Sequence, residues 1–245
     1  MQFNMLPFDN VQGEIKLRSY NKDPWGTENM AIVRSSWKLT AEAEAKLWDL
    51  QRRLSDIDHF KNEPETVLRF QVAPQGYEHA ESGFRKMLEW RKENHVDTIL
   101  QDYRPPQDLL DNAVCTMLAG ADKDGDPIYV ERGGAVDVGA LLKVYGHKEL
   151  VKCSIWVREL ITRGAWLDEF EKQQGRRIKG VTVLYDLKGL SSKHMSPKVL
   201  SLFHDVMMIA SDYYPAPIKV GSQSLSKSMM ALMKLWFASA MVDSQ

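Results

Sequence analysis

From Val181 to Tyr185 the chain reads Val-Thr-Val-Leu-Tyr, a continuous β-branched and aromatic run that ends abruptly in Asp186-Leu187-Lys188-Gly189. Such a run is too short for a helix and too apolar for a strand with one wet face, so it predicts a strand buried on both sides of a sheet. The next segment supplies the cover. Pro197 suits a first helical turn, and Val199, Leu202, Phe203, Val206 and Ile209 recur at helical spacing up to about Ser211. A strand, a tight turn and an amphipathic helix in that order imply an α/β sheet covered by helices.

The chain before this unit has a different character. Residues 1–39 lack clear periodicity and contain Pro7, Gly13, Pro24 and Gly26, which predicts an irregular leader, with Trp25 and Trp37 docking parts of it. Thr40 is a fitting N-cap, and Leu47, Leu50, Leu54 and Ile57 form the stripe of an amphipathic helix over about 41–57. Shorter helices are expected at about 64–71 and 77–93. Pro105 and Pro106 then punctuate the chain, giving a helical subdomain over 40–106. From Ala113 an apolar run, the turn chemistry of Lys123-Asp124-Gly125-Asp126-Pro127 and the alternation Ile128-Tyr129-Val130-Glu131 predict a hairpin or adjacent strands. A helix over about 147–173 with a bend at Gly164 completes the second unit, which spans 113–219.

Composition narrows the function classes. Among 245 residues, 32 Lys and Arg stand against 33 Asp and Glu, so no global positive field exists to hold nucleic acid. Cys115 and Cys153 are too few for a disulfide framework, which suggests a reducing compartment. The first residues show no signal-peptide core. A cytoplasmic protein is expected.

Asp122, Asp124 and Asp126 have the look of a calcium loop, but Gly125 stands fourth and Gly133 twelfth, where an EF-hand requires Gly at six and Glu at twelve. Turn geometry is the better reading. The six His residues show no ligand spacing, and neither a nucleophile elbow nor a phosphate loop is present. Nothing nominates a nucleophile with a base, so no enzyme, metal or cofactor is expected.

The order of Val67–Asn94, the Asp122–Arg132 turn and strand, the DLKG turn and Tyr213-Tyr214-Pro215 resembles the CRAL-TRIO lipid-binding domain of secretory phosphatidylinositol transfer proteins, over about residues 63–219. The resemblance implies an N-terminal helical subdomain followed by a helix-covered sheet with a lipid cavity. Beyond Lys219 the family's further strand, INxP-like turn and gate helix find no match, so an incomplete sheet, a domain truncated at its C-terminus and an unpaired edge beside Val181–Tyr185 are expected. The implied function is binding of a phospholipid or other hydrophobic ligand, with intermembrane transfer and transient, peripheral membrane contact. The alternative is an interaction module of the same descent without lipid exchange.

The resemblance and the strand alternation together nominate Tyr129, Val181, Val183 and Tyr185 as an apolar wall. Asp186 and Lys188 are turn or headgroup neighbours, Ser191 and Ser192 cap the succeeding segment or touch a ligand, and Tyr213 and Tyr214 line a cavity rim or anchor a helix end. Asp122 sits where the family places an aspartate near the headgroup. Two departures stand out. Pro74 and Gln75 replace the basic pair that supplies charge to an inositol phosphate, and Val181 and Val183 stand where phosphatidylcholine binders are expected to carry hydroxyls. Selective phosphoinositide binding is therefore not expected. The segment 220–245 breaks in composition: Met229–Val242, fourteen residues with the single charge Lys234, is too short to span a bilayer. It reads as a packed substitute lid, an unselected extension or, less well, a membrane-lying helix.

Overall fold

The computed structural model describes residues 15–18, 21–58, 63–73, 76–113, 116–214 and 218–223. Pro74, Gln75, Cys115, Pro215 and the segment 224–245, to which several expectations attach, lie outside them.

The first unit is built from α1 (Thr27–Trp37), α2 (Ala41–Arg53), α3 (Pro64–Gln71) and α4 (Ala80–Glu93). The hydroxyl of Thr40 accepts from the Ala43 amide at 3.2 Å and starts α2, and the Leu47, Leu50 and Leu54 stripe then packs on Val67, Leu68, Phe70, Phe84 and Met87. Two differences from expectation appear. Helix α2 stops at Arg53 instead of 57, and Arg85 donates to the freed Arg53 carbonyl at 2.8 Å while gripping Asp56. The leader contains a regular helix, α1, because Met30 and Val33 find a place in the same core.

Short helices α5 (Ile99–Asp102) and α6 (Gln107–Ala113) lead to the sheet. Strands β1 (Thr116–Ala121) and β2 (Pro127–Glu131) form the expected antiparallel pair, and β2 then pairs in parallel with β3 (Val181–Asp186). The turn between β1 and β2 consumes its aspartates. Asp122 accepts from the amides of Asp124 and Asp126 at 2.9 and 3.0 Å and from the Thr182 hydroxyl at 2.8 Å, while Asp126 accepts from Arg176 at 2.9 Å. The crossover to β3 runs through α7 (Val138–Val144), α8 (Gly146–Arg163) and α9 (Trp166–Gln174).

The expected long helix is thus divided at Gly164, whose amide still bonds Leu160 while its extended ψ of 142° turns the chain away. A Cβ there would lie 2.5 Å from the Leu160 carbonyl, and Trp166 Nε1 donates to that same carbonyl at 3.1 Å. The break is filled by the leader: Leu17 bridges Gly164, with amide bonds of 2.9 Å on either side.

Helix α10 (Pro197–Tyr213) packs on α8 and α4, placing Val199 and Leu202 with Trp156 and Leu160 in a second core. The chain then adds β4 (Ile218–Gln223), parallel to β3 through six registered pairs from Val181↔Ile218 to Asp186↔Gln223. This corrects the expectation that no further strand follows and that the β3 edge is left bare. The sheet has order β1-β2-β3-β4.

Candidate functional site

Residues registered across adjacent strands share a sheet face, so Leu118, Tyr129 and Val183 form one row, and alternation adds Val181 and Glu131 to that face; in the backbone register Tyr185 stands opposite Glu131. Tyr129 is 2% exposed and meets Trp166 edge-on, with ring centroids 6.0 Å apart. Val183 is likewise buried. The Tyr129 hydroxyl has no hydrogen-bond partner among the described residues, and burial pushes its ionisation well up. An orphaned buried hydroxyl carries a desolvation cost that a bonded one does not.

Because β2 and β3 are parallel, their carboxyl ends lie side by side, the position at which open α/β sheets bind ligands. Glu131 closes β2 there. It is the one charged side chain among the described residues of this row, and burial raises its carboxyl above the usual range, with only Arg158 of α8 countering. Arg158 in turn has its Nε sealed from solvent and unpartnered, and its charge also reaches the Tyr214 hydroxyl. Neither the Glu131 nor the Arg158 side chain makes a hydrogen bond or ion pair with a described residue. Both keep part of their surface open, so they are deep side chains bordering open space rather than packed core.

The nominated turn residues are placed differently. Asp186 accepts from the Lys188 amide at 3.0 Å and faces Arg132 at 3.9 Å, and the Lys188 side chain is exposed. Gly134 tucks under this turn, where a Cβ would stand 2.4 Å from the Lys188 carbonyl. Ser191 and Ser192 are exposed. Ser191 shares a capping box with buried His194, whose Nε2 bonds the Val136 carbonyl at 3.0 Å. These groups shape the strand-to-helix connection.

Tyr213 and Tyr214 end α10 in the seam against α4. Tyr213 stacks on Trp90 with ring centroids 4.2 Å apart and planes nearly parallel, and Tyr214 donates to Glu159 at 2.6 Å. Glu159, fully buried, also receives both terminal nitrogens of Arg91 at 2.9 Å and Arg163 at 2.9 Å. Burial by itself would raise this carboxyl, but the Arg91 fork and its neighbours hold it below the usual range. Beside the stack, a groove of about 610 Å³ runs between α4, α8 and α10 over Trp90, Val151, Ile155, Met208 and Ile209. Its two carboxylates are engaged locally, Asp205 with His147 at 2.7 Å and Asp212 with Lys86 at 2.9 Å.

Alternation reveals the Tyr129 and Val183 row, but Glu131, Arg158 and Glu159 were not nominated from sequence. The available signal was the charge inside two apolar patterns, Ile-Tyr-Val-Glu and Ile-Trp-Val-Arg-Glu-Leu.

Among known families, the CRAL/TRIO domain matches residues 111–220. The chain is 32% identical over 188 residues to the SEC14 cytosolic factor of Eremothecium gossypii, covering 76% of this chain and 60% of that protein. It is 30% identical over 209 residues to Protein real-time of Anopheles gambiae, covering 84% of this chain and 30% of that protein. The chain therefore spans between about a third and three fifths of the length of these curated relatives. The crystal structure of Sfh5 superposes with a TM-score of 0.56 at 16% identity, covering 90% of this chain and 77% of that one, a likeness of fold.

Proposed function

Taking as premise that residues 111–220 belong to the CRAL/TRIO domain family, we propose that the protein holds a phospholipid or similar lipophile against the Tyr129 and Val183 face of its sheet and carries it between membranes. The observation that carries this reading is the row Leu118–Tyr129–Val183, apolar and largely withdrawn from water, opening at the parallel strand ends onto a few polar side chains. That combination, an apolar wall with sparse polar groups at one end, suits an amphiphile whose chains lie along the sheet. No bond is made or broken, so the work is desolvation: acyl chains leave a bilayer only if an equally apolar surface receives them.

The relatives' names include SEC14 cytosolic factor and, for an Arabidopsis thaliana protein, phosphatidylinositol/phosphatidylcholine transfer protein. Transfer by this chain would take place in the cytosol with transient membrane visits; no helix among its described residues is long and apolar enough to cross a membrane. Pro74 and Gln75 argue against phosphatidylinositol selectivity, since neither side chain offers charge to a phosphate.

Lipid extraction from the purified protein, paired with transfer of a fluorescent phospholipid between vesicles, tests the reading. A co-purifying lipid and transfer above the protein-free rate are expected. Protein that carries no lipid and takes up neither a phospholipid nor a neutral lipophile would overturn it.

A further inference from the structure

The row assigned to the lipid is not open in the structure. Trp166 covers Tyr129, and Leu118, registered opposite Tyr129, packs against the small core of Leu167, Phe170 and Ile178. Trp166, Leu167 and Phe170 all belong to α9. A lipophile reaches Leu118 and Tyr129 only if that helix lifts, and its construction suits lifting. It is nine residues long, begins at the break after Gly164 and ends at Gly175, whose φ of 64° is the left-handed turn that glycine makes without strain. Its small core is separate from the two large ones, so it can part from the sheet without breaking either. What holds it down comes from the leader. Ile15 and Leu17 pack on the core of α8 and α10, the Arg18 amide donates to the Arg163 carbonyl at 2.9 Å, and the Lys16 carbonyl accepts from the Ala165 amide at 2.9 Å. From this anchorage Arg18 reaches onto α9 with both arms of its fork, Nε donating to Asp168 at 2.7 Å and Nη2 to Glu171 at 2.6 Å. Glu171 accepts from the Ile178 amide at 2.9 Å as well, so the grip bears on the whole of the small core.

From these contacts we infer that α9 is a hinged cover over the Leu118 and Tyr129 row, and that the leader, through Arg18, is the strap that keeps it shut. The inference rests on the lipid-binding reading and adds to it an entry route and its control. Lifting α9 costs the apolar contacts of one small core and the two charge-assisted bonds of Arg18. Those bonds decide how often it happens. Arg18 and Asp168 keep part of their surface in water, so the strap is weakened by salt and by competing anions while the two large cores are not. Once the cover is raised, the Tyr129 hydroxyl, unpartnered while it is shut, can donate to an oxygen of the incoming lipid, which offsets part of the opening cost.

Hydrogen exchange of the full chain, followed peptide by peptide with mass spectrometry, reads the cover without any lipid, and uptake of a fluorescent phosphatidylcholine from vesicles reads its consequence. Arg18→Gln should speed exchange over Trp166–Gln174 roughly tenfold, the shift in an opening equilibrium that one charge-assisted bond supplies, while α2 and α10 stay as protected as before. Uptake should quicken by a similar factor. Arg18→Lys keeps the charge without the fork and should fall between the two. High salt should loosen α9 relative to α2 in the wild type as well, which reads the strap even if the Gln variant fails to fold. Exchange over α9 that is no faster in the variant or in salt, or that rises equally in every helix, overturns the strap. Faster exchange with unchanged uptake overturns α9 as the entry route and leaves lipid binding standing. No uptake by any of these proteins, α9 loosened or not, sinks the lipid-binding reading and the entry route with it.

Discussion

Two carboxylates withdrawn from water, half-buried Glu131 at the end of β2 and fully buried Glu159 in α8, differ in almost every respect that decides what such a charge does. Glu159 lies in the seam where α10 meets the helical subdomain and is saturated by Arg91, Arg163 and Tyr214. Its ionisation is held low. Glu131 lies at the open strand ends with no bond to a described residue, and its ionisation is pushed high. The same side chain is thus a keystone in one place and an unmet demand in the other. Burial by itself does not separate structure from function; the state of the hydrogen bonds does.

The largest test of that contrast removes the keystone. Glu159→Ala leaves Arg91 and Arg163 facing each other in a dry seam, and breaking a buried pair from one side costs about 3–5 kcal/mol. At about 2–4 °C per kcal/mol for a chain of this size, the melting temperature should fall by roughly 10 °C. Replacing Arg91 and Glu159 together by Met should recover part of the loss, because one of the two guanidiniums that Glu159 held leaves with it. A single mutant as stable as wild type would show that the network is peripheral and the comparison false.

A smaller cut is Tyr214→Phe, which removes only the hydroxyl that donates to Glu159 at 2.6 Å. A hydrogen bond to a charged acceptor is worth about 1.5–3 kcal/mol, and calorimetry should find a loss in that range. The pH dependence of the loss sharpens the point. Glu159 is depressed below its ordinary 4.5, so its contribution is fully present above that value and disappears as pH falls through the folded value. The difference between Tyr214→Phe and wild type should therefore narrow in acid. A difference that stays constant through the acid range in which the folded protein takes up the Glu159 proton would assign the effect to packing instead.

The stack of Trp90 on Tyr213 holds the same seam by a different force. Trp90→Leu and Tyr213→Leu, singly and together, should give a coupling energy of about 0.5–1.5 kcal/mol in a double-mutant cycle. No coupling would mean that the rings are neighbours without being partners.

These regions were not equally legible in the sequence. The strand Val181–Tyr185, the Ile128–Glu131 alternation and the helices of the first unit declare themselves through periodicity, a local property. Helix α1 does not, since Met30 and Val33 make only a partial stripe between Gly26 and Trp37, and the core contributed by α2 and α3 decides the matter. Strand β4 is similarly mute: Ile218-Lys219-Val220-Gly221-Ser222-Gln223 has little strand character beyond its first three residues, and pairing with β3 fixes it. At the site, strand alternation places Tyr129 and Val183 on one face, whereas nothing in the sequence of the 147–173 helix separates Arg158 from its neighbour Glu159. Only the tertiary fold shows that one of these neighbours is saturated and the other is not. Tyr213 and Tyr214 left rim and anchor both open, and the bond from Tyr214 to Glu159 shows an anchoring contact without deciding what the rings offer to a ligand.

The smallest expected effect concerns Glu131 and has the opposite sign. Its folded ionisation is raised, so the protonated carboxyl is the form the fold prefers. The penalty is absent at low pH, grows as pH rises from the ordinary Glu range through the raised value, and is complete above it. Glu131→Gln should accordingly stabilise the protein at neutral pH, by under about 1 kcal/mol because the side chain still borders open space, and by nothing at about pH 3. Thermal melts of the two proteins across that range decide it. A variant less stable than wild type at neutral pH would mean that Glu131 is satisfied as Glu159 is, and the contrast between the two carboxylates would fall with it.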